Sequence, residues 1–241
     1  MTNDNTDVSA PLAVAPINFF MTIRDIAFWV RSARADSRLD RLRRQRGSAA
    51  AFDQLYAATS DPFGAELPQY RYQQRKYDSL LSMLPQRRYQ NVLDIGCGLG
   101  AFTRKLAPFA KHILGTDISA EAIGQAWELS AGHPNASYLQ ADMLDEHQPA
   151  AAFDLIILAD TLYYVDPLTT ARLQCIARDI SSRLAPGGLL LLVNHYFFGI
   201  DPASRATREI HDAFRNASSL ESVAEHRRAF FLATLLRRSD R

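Results

Sequence analysis

The chain has 241 residues, of which 47% are hydrophobic and 22% are charged. This length and composition are typical of one globular domain with a substantial core, and they exclude a fibrous or wholly disordered protein. Because 27 Lys and Arg residues are offset by 26 Asp and Glu residues, the chain has no overall basic field. We therefore expect no nucleic-acid partner.

Cysteine usage and the amino-terminal sequence bear on location. Cys97 and Cys175 form no CxxC pair and no Cys/His cluster, so we expect neither a disulfide framework nor a metal site. The first residues are polar and acidic where a secretory signal is basic, and no apolar run has the length of a membrane span. These features favour a cytoplasmic protein that does not cross a membrane.

The amino-terminal region changes character near residue 17. Residues 1–16 are polar and then rich in Ala and Pro, which predicts a disordered lead-in. Beyond them Phe19, Ile23, Ile26 and Val30 recur at spacings of four, three and four. This spacing predicts one face of an amphipathic helix.

The same segment is strongly basic. Residues 31–46 contain seven Arg and two Asp, a local excess of five positive charges within a predicted helical extension over residues 17–50. Two interpretations stay open. The helix packs on the domain with a solvated basic face, or residues 17–46 contact an anionic membrane surface or an acidic protein.

An alternating α/β pattern fills the rest of the chain, and we predict one domain over residues 51–241. Predicted strands lie at 91–95, 112–117, 137–140, 153–159 and 189–194. Predicted helices lie at 70–84, 100–107, 119–130, 168–184 and 204–214. Strands separated by helices favour a mostly parallel sheet, and residues 222–227 with 230–237 are expected to close it as an antiparallel pair.

Acidic residues follow the ends of these predicted strands. In a doubly wound sheet, ligands bind outside the carboxyl ends of the strands. Asp94, Asp117, Asp142 and Asp160 end or directly follow the first four strands. Each alone is a common turn or capping residue, but together they predict an acidic rim at one edge of the sheet.

A glycine-rich loop connects the first strand to the next helix. The segment Gly96-Cys97-Gly98-Leu99-Gly100-Ala101 suits a tight turn that a ligand approaches closely. It also fits the dinucleotide pattern G-x-G-x-x-A, with Asp117 at the distance of a ribose-binding acid. A pyrophosphate prefers cations and N–H donors, whereas the acidic rim favours the cationic sulfonium and ammonium of S-adenosylmethionine. An oxidoreductase or sugar epimerase, which would share the glycine loop, remains the alternative.

The segment Val92-Leu93-Asp94-Ile95-Gly96-Cys97-Gly98-Leu99-Gly100 resembles motif I of the class I S-adenosylmethionine-dependent methyltransferases. The resemblance implies a Rossmann-like fold, with S-adenosylhomocysteine as the product. It places Asp94 and the loop glycines at the methionine part of the cofactor, Asp117 at the ribose, and Asp142 with Met143 at the adenine. Further residues expected at the cofactor are Arg75, Tyr77, Ile118 and Ala159, with Arg75 pairing the cofactor carboxylate.

Other segments resemble the nodulation protein S type of N-methyltransferase, which methylates an amino sugar. They are residues 61–63, 75–77, 160–164 and 209–238, and the resemblance extends over about residues 54–238. It implies a small, saccharide-like acceptor, such as a glycan or a lipid-linked sugar, and leaves nitrogen against oxygen methylation open. Phe63 stands where the pattern has Trp, and Asp160 where it has Glu. Because Phe63 and Ala159 replace residues that the resemblance leads us to expect, a non-catalytic partner subunit with the same fold is a second alternative.

Methyl transfer to a protonated nucleophile needs a base. His195 follows the apolar run of the fifth strand, so we expect it at the cofactor rim as that base, with Asp160 orienting the acceptor. A histidine whose hydrogen bonds are satisfied at a strand end is the alternative interpretation, and His211 is a weaker candidate base. The aromatic residues expected to wall the acceptor site are Tyr163, Tyr164 and Tyr196.

Overall fold

The structure is a computed structural model that describes residues 23–144, 152–197, 201–228 and 230–239. Its strands are β1 (Tyr89–Ile95), β2 (Ala110–Asp117), β3 (Ala136–Gln140), β4 (Phe153–Ala159), β5 (Leu184–His195), β6 (Leu220–Arg227) and β7 (Phe231–Arg238). Its helices are α1 (Ile23–Arg46), α2 (Ser48–Ala58), α3 (Arg71–Met83), α4 (Ala101–Leu106), α5 (Ala120–Leu129), α6 (Thr170–Arg183) and α7 (Pro202–Arg215). Short 3₁₀ turns span Ala107–Phe109 and Leu162–Tyr164.

The strands form one seven-stranded sheet in the order β3-β2-β1-β4-β5-β7-β6. Strand β1 pairs in parallel with both β2 and β4, and β4 pairs in parallel with β5. Strand β7 runs antiparallel to both β5 and β6. The predicted Rossmann-like fold, a mostly parallel sheet with a closing antiparallel pair, is confirmed.

Hydrophobic core lies on both faces of the sheet. Along β4, Leu155 and Ile157 belong to one buried cluster, whereas Ile156 and Leu158 belong to another. Successive side chains of a strand point to opposite faces, so β4 is buried from both sides. That burial explains its nearly continuous apolar sequence.

The amino-terminal helix packs on a different face from the one predicted. Ile26 and Val30 are 53% and 45% exposed, whereas Phe28, Leu39 and Leu42 are buried. The buried stripe packs against α2 and the aromatic residues near α3. The prediction of the packed face was wrong because α1 has two stripes of apolar residues at helical spacing. The spacing alone does not show which of the two is buried.

Helix α2 was not predicted. Its buried residues include Ala51, Phe52 and Leu55, and it lies within the Ser/Ala-rich segment. Helix α2 includes residue 50, the predicted end of the helical extension. The division of the chain into this extension and a domain over residues 51–241 remains a prediction. The proposed lead-in over residues 1–16 lies outside the described residues, as does Phe19.

Strand β5 begins before the predicted start. The sequence predicts a strand over residues 189–194, whereas β5 already begins at Leu184 and includes Pro186, Gly187 and Gly188. An irregular register between Phe153 and Leu155 accommodates these residues.

Within the described part of the chain, no helix combines the length and apolar character that crossing a bilayer requires.

Candidate active site

A large cavity opens at the carboxyl ends of β1, β2, β4 and β5. Its volume is about 1270 Å³, above the roughly 300–1,000 Å³ typical of a small-molecule site. Strand-end residues form its floor, while α1, α2 and α3 supply the facing wall. The cavity therefore has room for two ligands side by side.

The glycine loop lies against this cavity in a conformation that suits glycine. Gly96 and Gly98 have φ angles of 71° and 53°, in the left-handed region that few other residues adopt. A Cβ atom at Gly96 would collide with the side chain of Thr161, and one at Gly98 would lie 2.9 Å from the Tyr56 hydroxyl. The loop backbone thus stays open toward the cavity.

The third loop glycine lies elsewhere. Gly100, with a φ angle of 77°, is the residue before the first turn of α4. It does not line the cavity, and a Cβ atom there would contact the Tyr138 ring. Its position serves the close packing of α4 on the sheet, while Gly96 and Gly98 face the cavity.

Asp94 is the buried acid at the end of β1. It lines the cavity although it is only 3% exposed. The Thr103 hydroxyl donates a 2.6 Å hydrogen bond to its Oδ2. Burial raises the pKa of Asp94 from 3.8 to about 6, more than the Thr103 hydrogen bond lowers it. Asp94 is thus a carboxylate that gains from a cationic ligand.

Asp117 fixes the glycine loop at the end of β2. Its Oδ2 accepts a 2.9 Å hydrogen bond from the Gly98 amide, and its Oδ1 accepts one of 3.0 Å from the Ser119 amide. Burial raises the pKa of Asp117 even with these donors. The neighbouring predicted residues Ile118, Asp142 and Met143 line the same cavity.

Two further predicted cofactor residues also line this cavity. Ala159 does so at the end of β4, and Tyr77 does so from α3. The Tyr77 ring stacks on Phe102 with centroids 4.9 Å apart. The structure therefore brings these residues together with the strand-end acids.

Arg75 lies apart from them. It does not line the cavity, and its guanidinium pairs at 2.6 Å with Asp25 of α1, whose side chain is fully buried. The next residue, Lys76, lines the cavity, is 4% exposed at its side chain and forms an ion pair with Asp160. Consecutive residues of a helix point about 100° apart, so α3 directs Lys76 rather than Arg75 toward the strand ends. Sequence reasoning missed Lys76.

The far side of the cavity contains the predicted acceptor residues. Asp160 follows β4 with a φ angle of 54°, a conformation that Asp tolerates better than most residues. His195 ends β5, lies 3.5 Å from the carboxylate of Asp201 and meets the Trp29 ring edge-on. Both line the cavity, as do Tyr163 and Tyr164.

Two other candidates do not face the cavity. Tyr196 is 1% exposed and receives a hydrogen bond from Arg227. His211 is fully buried, with its Nδ1 2.7 Å from the Thr234 hydroxyl. Burial lowers the pKa of His211 to about 3, so it stays neutral as a packing residue. Across the described ranges, no group of His, Cys, Asp and Glu side chains has an arrangement suited to a metal ion.

Comparison with known proteins agrees with this geometry. A family model described as a methyltransferase domain matches residues 69–238. Nodulation protein S of Sinorhizobium fredii is 30% identical over 143 residues, which are 59% of this chain and 61% of that protein. The malonyl-[acyl-carrier protein] O-methyltransferase of Enterobacter lignolyticus is 31% identical over 55% of this chain and 51% of that protein. The chain thus spans about half to three fifths of these relatives.

A solved structure shares the fold. The N-methyltransferase NodS from Bradyrhizobium japonicum WM9, in complex with S-adenosylhomocysteine, superposes with a TM-score of 0.64 at 23% identity. The match covers 86% of this chain and 98% of NodS. Cavity-lining acids and an open glycine loop fit a cationic nucleoside cofactor, and the family model covers most of the chain. The chain belongs to the methyltransferase-domain family.

Proposed function

We propose that this protein is an S-adenosylmethionine-dependent methyltransferase that methylates an amine or hydroxyl of a small, saccharide-like acceptor. The observation that carries this proposal is the second half of the cavity. There His195 and Asp160 lie beyond the glycine loop, beside the aromatic rings of Trp29 and Tyr163. Aromatic faces combined with polar groups suit an amphipathic, sugar-like molecule, and the resemblance to nodulation protein S supports the same class.

For the cofactor half, we propose that each strand end binds one part of S-adenosylmethionine. Asp94 and the backbone at Gly96 and Gly98 bind the methionine part. Asp117, with Ile118 beside it, binds the ribose hydroxyls, and Asp142 with Met143 borders the adenine. Support comes from their common position along one wall of the cavity. When bound, the cofactor supplies an electrophilic methyl group.

We propose that His195 removes the acceptor proton. A protonated amine cannot attack a methyl group, and a hydroxyl is a weak nucleophile, so either acceptor gains from a nearby base. A neutral imidazole accepts a proton at its unprotonated ring nitrogen. The carboxylate of Asp201, 3.5 Å from Nε2, stabilises the imidazolium that results. Asp160, held by Lys76, orients the acceptor.

We also propose that the enzyme acts in the cytoplasm and touches an anionic membrane surface through α1. Exposed Ile26 and Val30 lie on its outer face, and exposed Arg34 and Arg38 follow them. Apolar and basic residues on one exposed helix face are typical of interfacial helices. Such contact would bring the cavity near a lipid-linked acceptor.

The acceptor proposal is tested with an isotopically labelled methyl donor. The panel contains glucosamine oligomers, their N-acetylated counterparts and a malonyl thioester, which separates amine, hydroxyl and carboxyl acceptors. With a labelled acceptor in hand, His195→Ala should lower single-turnover transfer about a hundredfold to ten-thousandfold, with unchanged affinity for S-adenosylhomocysteine. His112→Ala, an exposed histidine of β2, is the matched control.

Three results would contradict parts of this proposal. If neither saccharide is methylated while the malonyl thioester is, the acceptor class is wrong. If His195→Ala keeps nearly wild-type turnover, another group removes the proton. Loss of cofactor affinity in that variant would instead make His195 a residue that maintains the cofactor site.

A further inference from the structure

Helix α1 has one more stripe of residues, which differs from both its buried apolar stripe and its exposed apolar stripe. Trp29, Ser32, Asp36 and Asp40 recur at spacings of three or four and all line the cavity. At 1.5 Å per residue, this stripe extends over about 16 Å. Helix α1 therefore forms one wall of the active-site cavity, although the family model begins only at residue 69.

Asp36 is the residue of this wall whose carboxyl group is held in a defined position. The Tyr164 hydroxyl donates a 2.9 Å hydrogen bond to its Oδ1. Tyr164 itself ends the 3₁₀ turn that follows Asp160, so it links α1 to the rim of the sheet. Asp36, Asp160 and His195 all line this cavity.

The two aspartates of this region differ in their partners. Asp160 already has a cation, because Lys76 pairs with it. For Asp36, no Lys, Arg or His among the described residues lies within ion-pair distance. Its Oδ2 likewise accepts no hydrogen bond from the described residues. Burial raises the pKa of Asp36, so its half-buried carboxylate gains from a ligand that donates a hydrogen bond or carries positive charge.

We propose that Asp36 of α1 is an acceptor-binding residue, whose free carboxylate oxygen receives a hydrogen bond from the nucleophilic amine or hydroxyl of the acceptor. This inference rests on the proposed function, because it names the residue that binds the methyl-accepting group of the acceptor. It makes α1 part of the active site, with Tyr164 as the positioning residue that orients the carboxylate. His195 remains the base.

A cofactor analogue tests this without an identified acceptor. Sinefungin carries a primary amine where S-adenosylmethionine carries its transferable methyl group, so its ammonium points toward the acceptor side. We expect Asp36→Asn to weaken sinefungin binding at least about tenfold, as expected for a lost hydrogen bond to a charged group. Binding of S-adenosylhomocysteine, which lacks that amine, should change less than about twofold on the same scale. Calorimetry measures both dissociation constants.

Three variants make the result specific. Asp36→Glu keeps the charge and should restore part of the sinefungin affinity. Tyr164→Phe removes the positioning hydroxyl and should cause a smaller selective loss. Asp78→Asn changes an aspartate that is 64% exposed on α3, outside the cavity lining, and should change neither constant.

The outcomes separate this inference from the proposed function. If the ratio of the two dissociation constants is the same in Asp36→Asn and wild type, Asp36 does not bind the acceptor group. Equal weakening of both ligands would make its role structural and overturn the inference as well. If Asp36→Asn does not fold, an unchanged ratio in Tyr164→Phe overturns it. Wild-type protein that binds neither ligand would instead refute the cofactor site.

Discussion

Replacing Asp94 by Asn should stabilise the folded protein while it weakens the cofactor site. Burial raises the pKa of Asp94 from 3.8 to about 6. Each pKa unit corresponds to ~1.36 kcal/mol, so ionised Asp94 lowers the free energy of unfolding by about 3 kcal/mol at neutral pH. Asparagine has nearly the same shape, and its oxygen still accepts the hydrogen bond from Thr103.

The sign of the pH dependence follows from linkage. A carboxyl group with a raised pKa in the folded state contributes stability that is present below pH 3.8 and lost as the pH rises through about 6. The stabilisation of Asp94→Asn over wild type should therefore be about half its full value near pH 5, and complete above pH 7. Urea unfolding of both proteins at these two pH values measures the difference.

Ligand binding gives the second half of this prediction. A cationic ligand favours the carboxylate form, so wild-type affinity for S-adenosylhomocysteine should fall as the pH drops through about 6. In Asp94→Asn the affinity should be lower, and this component of the pH dependence should be lost. The control is Asp78→Asn at an exposed site. A variant of equal or lower stability at neutral pH would refute the reasoning about burial.

Two further predictions concern the helices above the sheet. Because α3 directs Lys76 rather than Arg75 into the cavity, we expect Lys76 to pair with the cofactor carboxylate, and Lys76→Ala should weaken S-adenosylhomocysteine binding about tenfold. Arg75→Ala should instead lower the free energy of unfolding by about 2–3 kcal/mol, because the ion pair with buried Asp25 is lost. Calorimetry and urea unfolding measure the two effects, and the reverse pattern would restore Arg75 to the cofactor. Arg34→Glu/Arg38→Glu should abolish flotation with anionic liposomes while keeping the fold. Equal flotation would refute membrane contact through α1.

Much of the sheet could be predicted because each buried strand carries its own signal. Strand β4 was placed at its observed bounds, since a short apolar run between polar segments is typical of a strand buried on both faces. The position of Ser119 before α5 was also predictable, because its side chain caps the first turn. Such features depend on neighbouring residues alone.

The orientation of the amino-terminal helix was not predictable in the same way. Local periodicity favoured the face of Ile26 and Val30, whereas the face of Leu39 packs against α2. Which stripe is buried depends on a partner helix that the sequence pattern did not reveal. The same holds for Arg75, whose partner Asp25 lies on another helix, far away in sequence.

Because α1 forms one wall of the cavity, the two halves of the active site contain residues from different segments of the sequence. The strand-end residues of the cavity lie within the part of the chain that the family model matches, whereas the part of the facing wall formed by residues 29–40 lies before that model begins. Under the proposal for Asp36, changes on this helix face alter the acceptor side while the strand-end residues of the donor side stay the same. Acceptor preference can then diverge between relatives through substitutions on this helix face. A designer can graft the same face from one relative to another to exchange acceptors.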